Sequence, residues 1–333
     1  MTHGRFKNPV EATLTGIKDI FRTQALAKRL QASDRLDGKV CLITGANSGL
    51  GFATAVEFAQ RGAYVLMACR SQIPEAGEKV KKLSKSEKVE MLKVDLADIQ
   101  SIINFCQDLH SKNIKLDIVV LNAGVTPPKA RLTPQGLDEM FMVNYLANYI
   151  IIRQLTANGV IPSIASTQEG KATIPRIIFI SSDSHQGASA IDFSILGQFE
   201  NYGVKKAINN YSYFKLILNT LAVELSRRLN PNEKVNVSVN AMCPGPVNTN
   251  IIRDAPWILR VILRFIFTLF FQSPTKAAQP IVYLAASPDW EGKTQEYLHI
   301  FNHKPMDEKC YDVDAGSKLW EASEKIWHEA LKS

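Results

Sequence analysis

The sequence predicts an α/β fold, a single domain on a doubly wound parallel sheet of six to seven strands flanked by helices. Two observations carry the prediction. Between residues 39 and 121, short β-rich runs alternate with stretches of helical period, which is the pattern of βαβ units. The chain also has 333 residues and 46% hydrophobic composition, enough to bury one large core.

In chain order the expected strands are Lys39–Thr44, Ala63–Ala68, Val89–Val94, Leu116–Leu121, Arg176–Ser181 and Lys234–Val239. Helical period is read over Phe52–Arg61 and in long segments at 134–157 and 206–229, with loops at 158–174 and 183–205. Residues 1–37 form an extension in which Val10, Leu14, Ile17, Phe21 and Leu26 fall near helical spacing among Lys18, Arg22, Lys28 and Arg29. This reads as an amphipathic helix, docked on its own domain or touching a membrane. The main domain spans 38–302, and 303–333 is a C-terminal helical extension whose packed face carries Trp320 and Trp327.

Composition narrows the partners. The balance of 39 Lys+Arg against 32 Asp+Glu gives +7, but no basic block is interleaved with aromatics, so nucleic acid is not an expected partner. The 5 cysteines, at 41, 69, 106, 243 and 310, never form a Cys-x-x-Cys pair, which points to a reducing compartment and to no metal site. The N-terminal stretch has no apolar h-region and carries Glu11 and Asp19, so no secretory signal is expected and the location is cytoplasmic.

Directly after the first strand comes Thr44-Gly45-Ala46-Asn47-Ser48-Gly49-Leu50-Gly51, followed by a helical run. Glycines let the backbone turn tightly and approach a pyrophosphate, while the helix presents free N–H groups and its positive dipole end. No Gly-Lys-Ser or Gly-Lys-Thr closes the loop, so the reading is a dinucleotide site of the Rossmann type. The second strand ends at Arg70, where a carboxylate would ordinarily hold a ribose 2′-hydroxyl. A guanidinium there can pair with a 2′-phosphate, so NADP(H) is the expected cofactor. Asp95, followed by Leu96 at the end of the third strand, is a candidate for the adenine end; a turn-capping Asp is the other reading. Small residues in Asn122-Ala123-Gly124 allow close approach of a cofactor after the fourth strand.

Tyr211 and Lys215 lie four apart in a predicted helix and so share a face. A neighbouring ammonium favours phenolate, so the expectation is a tyrosine with a lowered pKa, suited to proton transfer.

The ordered set Thr44-Gly-x-x-x-Gly-x-Gly51, Asn122-Ala-Gly124, Asn144 in Val-Asn-Tyr, Ser182 in Ile-Ser-Ser-Asp and Tyr211-x-x-x-Lys215, with Pro244-Gly245 following, resembles the short-chain dehydrogenase/reductase family. The resemblance runs from about Lys39 to about Ala286, and Ala-Cys-Arg70 together with Ser-Ser-x-x-His185 is similar to the retinol dehydrogenase-like branch. It implies carbonyl–alcohol interconversion in which Tyr211 transfers the proton, and Lys215 lowers its pKa and bonds the nicotinamide ribose. Ser182 hydrogen-bonds the substrate oxygen, and Asn144 holds a water linking Lys215 to solvent. It places Pro244, Gly245, Val247 and Thr249 at the nicotinamide end, and implies a homo-oligomer. The gap of 29 positions from Ser182 to Tyr211 adds a loop over the site, in which His185 is read as exposed.

In the apolar segment 256–271, Arg260, Arg264 and Thr268, followed by Gln272, recur every four residues and form one polar stripe. The run is too short for a bilayer span of ~20 residues. It is expected to lie in a membrane interface as a peripheral contact, or to serve as a lid or subunit-contact helix. Either use implies a lipophilic substrate such as a retinoid, steroid or long-chain aldehyde or ketone. Two other functions stay open: carbon–carbon double-bond reduction, as in protochlorophyllide reductases, and a non-catalytic NADP(H)-binding scaffold or sensor at a membrane.

Overall fold

A computed structural model describes residues 30–163, 173–232, 234–247 and 272–332. The amphipathic stretch before Leu30, Thr249 and the apolar segment 256–271 lie outside the described residues.

The first half of the chain alternates β1 (Val40–Thr44), α1 (Gly49–Gln60), β2 (Tyr64–Cys69), α2 (Glu75–Ser84), β3 (Val89–Lys93), α3 (Ile99–Ser111) and β4 (Ile118–Leu121). A helical segment then starts at Glu139–Phe141, widens into a π turn at Met142–Leu146 and continues as α4 (Ala147–Ala157). After β5 (Arg176–Ile180) come the long α5 (Val204–Leu229), β6 (Ser238–Cys243), α6 (Pro274–Ala286), β7 (Tyr297–His299), β8 (Asn302–His303) and α7 (Val313–Ala330).

The strands form one sheet in the order β3-β2-β1-β4-β5-β6-β7-β8. Every pair is parallel except β7 with β8. Alternation along each strand feeds two cores. In β1, Leu42 faces the core built with α3, α4, α5 and α7, whereas Cys41 and Ile43 face the one built with α1 and α6. The chain winds outward from β1 to one edge and from β4 to the other. The strand order therefore reverses between β1 and β4, where a crevice opens at the carboxyl ends.

The sheet has eight strands, against the six to seven expected, because β7 and β8 are only three and two residues long. The expected strand at 234–239 lies four residues later. Asn230 Oδ1 accepts the amides of Asn236 and Val237 at 2.7 and 3.1 Å, so the ladder begins only when Ser238 N reaches Pro175 O. At the other end, α7 lies across α4 and α5. Tyr145 Oη meets Ser323 Oγ at 2.6 Å, and the Trp320 ring lies 4.4 Å from the Arg228 guanidinium. Trp327, the other half of the expected tryptophan face, is buried. Among the described residues no helix is long and apolar enough to cross a membrane.

One buried cation locks α6 to the sheet. Arg176 Nη1 donates to the carbonyls of Leu284, Ala285 and Ser287, each at 3.0 Å, and Nη2 bonds Glu291 at 2.7 Å. Ser287 O also accepts the Trp290 amide at 3.2 Å, whereas Leu284 and Ala285 carry carbonyls of the kind a helix leaves unpaired at its end, where positive charge is favoured. Replacing Arg176 by Met should strand them and cost about 2–4 kcal/mol in denaturant unfolding, with Lys recovering part of the loss.

Candidate active site

The crevice at the carboxyl ends of β1, β2, β4, β5 and β6 is a cleft of about 560 Å³. Thr44 and Asn122 build its middle. Thr44 Oγ1 accepts the amides of Asn122 and Ala123 at 3.0 and 3.1 Å, and Asn122 Nδ2 donates to the Thr44 carbonyl at 2.9 Å. Asn122 thus ties the ends of β1 and β4 together, while Ala123 and Gly124 form the wall.

Two glycines of the turn have no alternative. Gly45 has φ +66°, and a Cβ there would lie 3.1 Å from Ala123. A Cβ on Gly51 would come within 2.5 Å of Asn122 Nδ2 and 2.6 Å of the Gly45 carbonyl. Gly51 lies under the turn, whereas Gly45, Asn47, Ser48, Gly49 and Leu50 line the cleft.

Ser48 sits at the N-cap of α1, yet its side chain caps none of the helix's N–H groups. Unpaired donors and a positive dipole end therefore border the cleft, as anion binding requires. Further along the same wall, Arg70 and Asp95 close to 3.6 Å, both half-exposed, with Leu96 beside them. Asp95 also caps its own turn by accepting the Ala97 amide at 2.9 Å. The lining could hold a dinucleotide, with anion-binding backbone donors at the turn, Arg70, Asp95 and Leu96 along one wall, and Pro244, Gly245 and Val247 at the far end.

The opposite end holds Ser182, Tyr211 and Lys215 together. Lys215 projects from α5 and donates to the Ile180 carbonyl at 2.7 Å, with its Nζ 5.4 Å from the Tyr211 ring centroid. Tyr211 and Ser182 line the same end of the cleft. Burial lowers the Lys215 pKa to about 8 and pushes the Cys243 thiol up to about 12. Tyr211 departs from the sequence expectation, since its pKa is raised. Desolvation is the largest cause, Cys243 adds to it, and Ser182 pulls the other way. The Lys215 charge is directed at a backbone carbonyl and does not offset the burial, so the phenol is protonated at neutral pH.

Asn144 sits behind the cleft wall rather than in it. Its Oδ1 accepts the Val125 amide at 2.7 Å and its Nδ2 donates to the Val125 carbonyl at 2.9 Å, so the amide braces the segment after β4. That use differs from the water-holding one implied by the resemblance. The π turn carrying Asn144 is of a kind that recurs at functional sites.

His185 is fully buried, contrary to the exposed position expected, because a 3₁₀ turn at Asp183–Gly187 folds its ring edge-on against Tyr297. Asp183 was not anticipated at all. It accepts from Tyr297 Oη at 2.8 Å and from Lys304 Nζ at 2.9 Å. Ligand atoms of Asp183, Cys243 and His299 lie within 4.8 Å of one another. Lys304 Nζ, which is also 2.7 Å from His299 Nδ1, supplies the positive charge there, and the Cys243 thiol is held in its protonated form. The adjacency of Asp183 to Ser182 was the one local hint; Tyr297 and Lys304 are too distant in sequence to give any.

Comparison with known proteins accords with this geometry. The family described as short chain dehydrogenase matches residues 39–191. Retinol dehydrogenase 14 of Mus musculus is 33% identical over 303 residues, covering 87% of this chain and 86% of that one. The WW domain-containing oxidoreductase of Gallus gallus is 32% identical over 315 residues, covering 91% of this chain and 71% of its own length. An uncharacterized protein from Mycobacterium paratuberculosis shares the fold at TM-score 0.64 and 23% identity, over 88% of this chain and 95% of that one.

The Lys215 shift has a stability consequence. Its folded pKa of about 8 lies below the ordinary 10.5, so the unfolded chain binds more protons between those values. The group's cost is fully present below about pH 8 and is relieved as pH rises toward 10.5. Lys215→Met should therefore raise apo stability at pH 7 by about 1–2 kcal/mol, the removed cost being partly offset by the Ile180 carbonyl losing its donor. Thermal melts at pH 7 and pH 10 should show the advantage over wild type shrinking at the higher pH.

Proposed function

Since this chain belongs to the short-chain dehydrogenase/reductase family of oxidoreductases, we propose that it interconverts a carbonyl and an alcohol on a lipophilic substrate with NADP(H). The observation that carries the reading is the grouping of Ser182, the protonated Tyr211 phenol and the buried Lys215 ammonium at the end of the cleft away from Arg70.

A bound nicotinamide supplies or accepts the hydride. In reduction Tyr211 passes its proton to the substrate oxygen as negative charge develops there, and in oxidation it takes the proton back. Ser182 donates a hydrogen bond to the same oxygen and fixes its position. Lys215 is aimed at Ile180, but its ammonium is close enough to the ring to favour the phenolate left once the proton has gone. Asn144 acts one step back, holding Val125 in the wall of the cleft.

Arg70 supports NADP(H) over NAD(H). Its guanidinium is half-exposed at the end of β2 and is loosely paired with Asp95 at 3.6 Å, a partner that a 2′-phosphate would outcompete with bidentate, charge-assisted bonds. The lipophilic substrate class rests on the apolar stretch 256–271, with its stripe of Arg260, Arg264 and Thr268. We assign that stretch to peripheral contact with a membrane surface, from which such a substrate is drawn.

A screen of NADPH oxidation across retinal, ketosteroids, fatty aldehydes and small ketones, run with and without phospholipid, tests the reading. Turnover of a lipophilic carbonyl supports it, and activity on none of them overturns it. Tyr211→Phe should lower kcat roughly a thousandfold, the scale of lost acid catalysis, while leaving NADPH affinity within about threefold. Arg70→Asp should weaken NADPH about 10–100-fold and leave NADH binding unchanged, as isothermal titration would show.

A further inference from the structure

Ser182 can serve a substrate only if its hydroxyl is held toward Tyr211, and its own turn does not account for that hold. Its Oγ receives one long bond, from the Ser184 amide at 3.3 Å. The Ser182 carbonyl accepts the His185 amide of the turn at 3.2 Å and, more closely, His185 Nδ1 at 2.7 Å. Because a carbonyl can only accept, Nδ1 carries the ring proton. The other nitrogen then has to be an acceptor, and it receives the Asp307 amide at 3.1 Å. One imidazole thus joins the active-site serine to a backbone group 122 positions beyond the histidine itself.

The far anchor is itself rigid. Asp307 is buried, and its Oδ1 accepts the Lys309 amide at 3.0 Å and pairs with the Lys309 ammonium at 2.8 Å. The ring packs edge-on against Tyr297 at 5.2 Å, and that tyrosine's hydroxyl holds Asp183, the residue next to Ser182. The serine-bearing turn is therefore held on two sides by the segment 297–307. His185 does not line the cleft, whereas Ser182, Asp183 and Ser184 do. It touches no reacting atom.

We propose that His185 is a positioning residue which locks the Ser182 carbonyl to the Asp307 amide and so sets the Ser182 hydroxyl against Tyr211, making the C-terminal segment part of the catalytic apparatus. This rests on the carbonyl–alcohol reading above. The link requires a neutral ring, since a proton on Nε2 would face the Asp307 N–H. Burial keeps the His185 pKa low, although the charges facing it include Asp183 and Asp307 as well as Lys309.

Three measurements test the proposal. Ring ¹⁵N shifts of His185 in the cofactor-free protein at pH 7 should show the Nδ1–H tautomer; an Nε2–H tautomer or an imidazolium would overturn it. In steady-state kinetics, His185→Phe keeps the ring packing but removes both polar links, and should lower kcat at least tenfold with NADPH affinity unchanged. His185→Asn, whose amide can still donate to the Ser182 carbonyl, should restore kcat to within about threefold of wild type. An unchanged kcat in the Phe variant, or an Asn variant as impaired as Phe, would mean that the ring only fills space. If His185→Phe does not fold, the tautomer and the Asn variant's kcat still decide. A wild type inactive on every carbonyl would overturn the function proposed above, and the tautomer would still decide the link.

Discussion

The Lys215 ammonium, buried and 2.7 Å from the Ile180 carbonyl, is the contact on which the arrangement of the site depends. It pins the middle of α5 to the last residue of β5. Since Tyr211 lies one helical turn before Lys215 and Ser182 two residues after Ile180, the same bond fixes both groups relative to each other. Keeping a charge there is unfavourable, as its lowered pKa records, and the fold tolerates it because the Ile180 carbonyl is a good acceptor. In the reaction we propose, the phenol gives up its proton and the ammonium gains an anionic neighbour, so the cost in the resting state becomes an attraction at the point of reaction.

Charge is handled differently at the ends of β6 and β7. Asp183 is buried behind Ser182, and Lys304, Tyr297 and His299 surround it. Desolvation, the largest single effect, raises its pKa, but the nearby Lys304 and His299 and the hydrogen bonds from Lys304 and Tyr297 outweigh it and hold the carboxyl below the usual range. A buried carboxylate with three partners cannot shift without stranding charge, and that gives the strand end its stiffness. His185 adds a neutral link on the same turn, so residues beyond the last parallel strand hold Ser182.

Much of this was legible in the sequence, for identifiable reasons. Of the first five strands, β1, β2, β4 and β5 are nearly continuous apolar runs, as strands buried on both faces must be, β3 at the sheet edge is mixed, and all five agree with expectation to within two residues. The glycine turn, Ser182, Tyr211 and Lys215 were legible because their chemistry is carried by residue type and spacing. β6 was misplaced because the Asn230 side chain takes two amides that would otherwise begin the ladder. His185 was misread because a histidine in a polar stretch carries no local sign that a residue 122 positions away will cover it. The Tyr211 pKa was given the wrong direction for a related reason: the neighbouring charge is visible at i+4, whereas the burial that outweighs it arises only from the fold. Asn144 was found as a residue, but its partner, Val125, was not.

In the function we propose, this cleft moves a hydride between a nicotinamide and a carbonyl carbon while Tyr211 handles the proton. The most direct measurement uses NADPH deuterated at its transferable position, retinal or a fatty aldehyde as acceptor, and mass spectrometry of the product. The account predicts one deuterium on the carbinol carbon and a solvent-derived proton on oxygen. Deuterium on a carbon of a former double bond, or none in any product, would contradict it.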